Sequence, residues 1–135
     1  MSGLRMTLEA PFEEVLARVP GALATEGFGI LTEIDVQATL RKKLDVDFRR
    51  YRILGACNPG VAHRALQRSL EIGRVMPCNV VVYEEGRGTV VSAVDPLQTI
   101  AAQGEAAMRP LAEEARQKLE RALLALANEV AALRS

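Results

Sequence analysis

Two spacings of apolar residues alternate along this chain. Leu4, Met6 and Leu8 are separated by Arg5, Thr7 and Glu9, so every second residue is apolar, the period of a strand with one buried face. From Pro11 the step lengthens to three or four residues, through Phe12, Val15, Val19 and Leu23. That stripe predicts a helix with Pro11 in its first turn, Gly27 as its stop and a kink at Pro20, which has no amide to donate. In "FGILTEIDVQATL" the alternation returns, with Ile30, Thr32, Ile34 and Val36 on one face and Leu31, Glu33, Asp35 and Gln37 on the other.

"ATLRKKLDV" predicts a short basic helical turn, and "YRILGAC" a strand with Tyr51, Ile53, Gly55 and Cys57 on one face. Asn58 suits an N-cap and Pro59 a first helical position, so a helix is expected to run to about Leu70. "PCNVVVYEEGRGTVVSAVDP" predicts a hairpin, two β-branched runs joined around Glu85, Gly86, Arg87 and Gly88. From Glu105 onward, Met108, Leu111, Ala115, Leu119, Ala122, Leu126, Val130 and Leu133 recur at steps of three and four, the stripe of a long C-terminal helix with Pro110 in its first turns. The pattern predicts an α+β fold: an antiparallel sheet of about five strands, with the helix from Pro11 and the long C-terminal helix on one face. No repeat, low-complexity tract or linker divides residues 1–135, which are expected to form a single domain.

Composition narrows the function. Apolar residues are 49% and charged residues 25%, ordinary values for a folded globular chain. Lys+Arg and Asp+Glu both number 17, aromatic content is 4% and Trp is absent, so there is neither a basic footprint nor a supply of stacking rings for nucleic acid. The opening segment has no basic run leading into an apolar one, and no apolar run approaches membrane-spanning length. A cytoplasmic protein with no membrane partner is expected. Its two cysteines, Cys57 and Cys78, are then expected as free thiols.

The motifs "EIDVQATL", "YRILGACNPGVAHRAL", "MPCNVVVYEEGRG" and "SAVDP", in that order and at those intervals, resemble the domain-of-unknown-function 302 family of small bacterial and archaeal α+β proteins. The resemblance runs from about Phe12 to Asp95. It implies a sheet-and-helix domain similar to the TATA-binding-protein layout, often homodimeric, and it implies no assigned activity. A homodimer is expected on a second ground also: the strands of a small valine-rich sheet leave edges that pairing with another copy would cover.

Cys57 is the sharpest chemical candidate, because it precedes Asn58 and so lies beside the start of a helix, where free amides and the helix dipole favour a thiolate. Cys78 opens a valine run and is close to Cys57 if their strands are neighbours. Two thiolates with Met76 or His63 nearby would suit Cu(I), although a separation of 21 residues is not a metal-finger spacing. The competing reading is a pair of packed core thiols. His63, the single histidine, lies one helical turn from the cysteine and is either its partner or a solvated residue.

Glu33 and Asp35 lie on one strand face, about 7 Å apart, where paired carboxylates do acid/base work or hold a hard cation. Lys42 or Lys43 is placed to neutralise them. Asp95 reads as a turn residue, and Glu84 and Glu85 as hairpin-end charges. "EEGRG" opens no helix, so phosphate-loop and dinucleotide fingerprints fail, and no zinc ligand set occurs. No cofactor is expected. The leading expectation is a small-ligand or partner-binding module with a polar pocket near Glu33, Asp35, Lys43, Cys57, Asn58 and Cys78. A thiol-dependent redox or soft-metal-handling protein using Cys57 and Cys78 is the second, and a carboxylate hydrolase or isomerase the third.

Overall fold

Valine-rich strands and leucine-striped helices sort themselves in the computed structural model, which describes residues 4–134. Gly3, which opens the first alternating segment, lies outside the described residues. The order is β1 (Arg5–Leu8), α1 (Phe12–Ala24), β2 (Gly29–Asp35), α2 (Val36–Leu44), β3 (Tyr51–Cys57), α3 (Pro59–Arg68), β4 (Cys78–Glu85), β5 (Gly88–Ala93), α4 (Pro96–Thr99) and α5 (Met108–Arg134). Tighter 3-10 turns occupy Leu70–Val75 and Ala101–Gln103. The five strands form one sheet in the order β1-β5-β4-β3-β2, every pair antiparallel. The expected α+β class and the long C-terminal helix are both present.

The hairpin at the centre of the sheet shows how local sequence sets register. Glu85 stands opposite Gly88, leaving Gly86 and Arg87 as a two-residue turn. Gly86 has φ +59°, a left-handed conformation that costs glycine little. This register puts Val80 and Val82 beside Ala93 and Val91, all turned to one face. There they meet Leu54 and Ala56 of β3, Phe12, Val15, Val19 and Leu23 of α1, and Leu119, Leu123, Leu126 and Val130 of α5. A second cluster gathers Val61 and Ala65 of α3 with Ile72, Cys78 and Ile100 against Met108, Leu111, Ala112 and Ala115 of α5. One stripe of α5 therefore seals the sheet with its C-terminal half and the α3–α4 end with its N-terminal half.

Three local expectations change. Pro11 is the N-cap of α1 rather than part of its first turn, and α1 continues through the exposed Pro20 to Ala24. In β2, Ile30 stands opposite Ala56 but Thr32 stands opposite Gly55, so Leu31 is left without a partner in a β-bulge. The bulge inverts the alternation: Ile30 lies on the helix-covered face with Glu33 and Asp35, while Thr32 and Ile34 lie on the other. Finally, Val36 is not a strand residue. It begins α2, a nine-residue helix whose first turn is capped by Asp35 Oδ1, accepting the Ala38 amide at 2.9 Å.

No residue of α2 is buried. The sheet face opposite the core carries Tyr51, Ile53, Val81 and Tyr83, and both core clusters lie on the other side. Tyr51 and Tyr83 are register partners whose rings stack at 5.1 Å and 6°, with Phe48 tilted against Tyr51 at 6.3 Å.

Candidate functional site

The sequence candidates separate into two groups at different places on β3. The first is at its end, where Ala56 pairs with Cys78 and Cys57 with Gly29. Asn58 fills the expected N-cap position: its Oδ1 accepts the Val61 amide at 3.3 Å and its backbone carbonyl accepts that of Ala62 at 2.9 Å. Its Nδ2 donates to the Glu26 carbonyl at 3.1 Å, tying the turn after α1 to the start of α3. Gly27, at φ +84°, leaves room for this contact, since a Cβ there would lie 3.1 Å from Asn58 Nδ2.

Cys57, Asn58, Met76, Pro77 and Cys78 line a small recess closed by Phe28, Val61, Ile100 and Ala115. The space admits the centre of a water-sized sphere over about 20 Å³, enough for one water or one ion and too small for an organic metabolite. Both thiols are held protonated. Burial raises the Cys57 pKa, and raises that of the more deeply buried Cys78 to about 11, with the charge of a neighbouring Cys57 thiolate adding to it. The lowered Cys57 pKa expected from the helix start is thus reversed. Two of the first amides of α3, those of Val61 and Ala62, are given to Asn58, and desolvation of the sulfur prevails over the field of the helix start. His63 is exposed on α3 and does not line the recess.

The second group lies nearer the other end of β3. Glu33 stands opposite Leu54 and Asp35 opposite Arg52. The Arg52 guanidinium bridges the two carboxylates, with Nη1 on Glu33 and Nη2 3.2 Å from Asp35 Oδ2. The hydrogen bond that Arg52 donates to Glu33, with the charge of Asp35, raises the Arg52 pKa against the opposing effect of burial. Lys42 and Lys43 are exposed on α2 and make no ion pair among the described residues. Glu33 is three β3 positions from Cys57, about 10 Å at strand rise, and neither carboxylate nor Lys43 lines the recess. Asp95 is a turn residue: its Oδ1 accepts the Leu97 amide at 2.9 Å and its Oδ2 lies 3.2 Å from Arg116 Nε. Glu84 and Glu85 sit at the hairpin end, in ion pairs with Arg50 and Arg5.

This sheet order, the Asn58-capped α3 and the long α5 can be set beside known proteins. The family model described as "Domain of unknown function DUF302" matches residues 4–126. The chain belongs to the DUF302 family. An uncharacterized conserved DUF302 protein from Bacillus stearothermophilus, known from its crystal structure, is similar at TM-score 0.80 and 29% sequence identity, over 89% of this chain and 95% of its own. Among curated proteins none matches.

Sequence reasoning missed Arg52 in this DUF302 chain. The available signal was its position in "YRILGAC", two residues before the buried Leu54 and on the same strand face, where a charge needs partners. Among the described residues no three His, Cys, Asp or Glu side chains gather as a metal cluster, and no helix is long and apolar enough to cross a membrane.

Proposed function

We propose that this DUF302 chain is a partner-binding module whose partner is a second copy of itself, docked on the sheet face that carries Tyr51 and Tyr83. The observation that carries this reading is where the exposed apolar residues lie. Ile34, Leu44, Val46 and Phe48 are all exposed within one segment, and of these Ile34 stands opposite Ile53 and Phe48 lies against Tyr51, on the face of the half-buried Tyr51, Ile53, Val81 and Tyr83. A contiguous apolar area of this kind marks an interaction surface. α2 strengthens it: a nine-residue helix is marginal in water without tertiary packing, and α2 buries none of its residues within its own chain.

Charge favours a second copy as the occupant. The chain has equal numbers of acidic and basic residues, so two copies meet without net repulsion. The face, rather than the edges, is the better surface. β1 has only four residues and β2 is bulged at Leu31, devices that discourage edge pairing.

At the Cys57–Cys78 recess a small-ligand role is limited by size to a water or an ion, and the engagement of Glu33 and Asp35 by Arg52 and the α2 cap speaks against a hydrolase or isomerase. The cytoplasm, where both thiols stay reduced, is the compartment this reading assigns. Sedimentation tests the dimer: the wild-type chain is expected at twice its monomer mass at micromolar concentration, and Val81→Arg at monomer mass with an unchanged circular-dichroism spectrum. A monomeric wild type would refute it.

A further inference from the structure

We infer that the sulfur atoms of Cys57, Cys78 and Met76 bind a single Cu(I) ion in the recess where β3 ends and β4 begins. Three sulfur-bearing side chains line one space with room for a single ion. Beyond the two thiols, the only polar side chain in the lining is Asn58, and both ends of its amide are engaged, with the Val61 amide and the Glu26 carbonyl. No side-chain oxygen or imidazole is left for a hard or borderline cation. A structural zinc site needs four thiolate, imidazole or carboxylate ligands and the recess supplies only the two thiols, whereas Cu(I) accepts thiolate and thioether sulfur at low coordination.

Access and charge agree with this choice. Cys78 is buried at 6% exposure, while Cys57 and Met76 are part-exposed and offer the way in. The step is a proton-for-metal exchange without redox change: two S–H bonds break, two Cu–S bonds form, and two protons leave to solvent for each ion bound. The resulting bis-thiolate complex carries one negative charge, where two free thiolates would bring two into the recess. This site is separate from the proposed docking face, so the monomeric Val81→Arg variant is expected to retain it.

The test uses reduced protein under anaerobic conditions, titrated with Cu(I) buffered by bathocuproine disulfonate. The wild type is expected to withdraw one Cu(I) per chain from the chelator, to develop near-ultraviolet thiolate-to-copper absorption, and to release two protons per ion. Cys57→Ser and Cys78→Ser are each expected to weaken binding at least roughly tenfold, and Met76→Leu by less. Failure to withdraw copper, release of one proton only, or undiminished binding by Cys57→Ser would overturn the inference. Should Cys78→Ser fail to fold, Cys57→Ser at the part-exposed position and the wild-type proton count still decide it.

Discussion

Arg52 stands directly opposite Asp35 across β2 and β3, and its Nη2 lies 3.2 Å from Asp35 Oδ2. The other oxygen of the same carboxylate accepts the Ala38 amide at 2.9 Å. One side chain thus closes a strand pair and starts a helix. Asp35→Ala is expected to destabilise the fold by about 1–2 kcal/mol, mostly through the lost cap, since a part-exposed ion pair contributes about 0–1 kcal/mol. Asp35→Asn keeps a capping oxygen and should cost less. Urea unfolding of the two variants separates the contributions, and equal losses would show that the ion pair, not the cap, dominates.

Gly55 is held where β3 passes beneath Thr32 and Pro77. A Cβ on Gly55 would overlap Thr32 Oγ1 and come within 2.8 Å of Pro77 Cγ. Gly55→Ala is therefore expected to lose about 1–3 kcal/mol by overpacking, despite the general preference of strands for alanine over glycine. Adding Thr32→Ala should recover part of that loss. Strict additivity of the two changes in chemical denaturation would contradict the contact.

The buried thiol of Cys78 predicts a loss of stability in alkali. The Cys78 pKa rises from 9.0 to about 11 on folding, so the folded state holds its proton more tightly than the unfolded chain. Stability from this source is complete below pH 9 and declines as pH rises toward 11. Cys78→Ala should flatten the decline in thermal melts across that window. Iodoacetamide should label the more accessible Cys57 before Cys78, with both slow at neutral pH. Fast labelling of Cys57 at pH 7 would mean that the helix dipole outweighs desolvation.

Acid acts through Glu114. Arg64 and Lys118, at 2.7 Å and 2.9 Å, lower its pKa from 4.5 to about 2. A carboxylate lowered on folding contributes stability above pH 4.5 that is lost as pH falls toward 2. The contribution is modest because the group is part-exposed and screened. Glu114→Gln should therefore unfold with a shallower pH dependence in that range, and less salt sensitivity, than the wild type. An unchanged acid profile would assign the effect to other carboxylates.

Most elements were legible because period 2 and period 3.6 are written directly in which residues are apolar. The Asn58–Pro59 helix start, the Gly86–Arg87 turn and the α5 stripe are local signals, and each folds as its own sequence predicts. The bulge at Leu31 was not legible, because a single skipped residue leaves a plausible alternation on both sides of it. Its effect is large: it turns Glu33 and Asp35 onto the face where Arg52 waits, and a candidate acid/base pair becomes a bridged ion-pair group.

From the sequence alone came the α+β class, the central hairpin, the capped helix after Cys57 and the family, since apolar periodicity, turn residues and ordered motifs are properties of neighbouring positions. Tertiary structure alone decided the partners. It placed Cys57, Met76 and Cys78 around one recess, kept Glu33 and Asp35 away from it, and left α2 and the Tyr51–Tyr83 face without cover. The direction of the Cys57 pKa shows the physical reason. A helix start two residues away is a local feature that favours the thiolate, but burial depends on Phe28, Ile100 and Ala115, which come from elsewhere in the chain, and desolvation by that packing outweighs the local field.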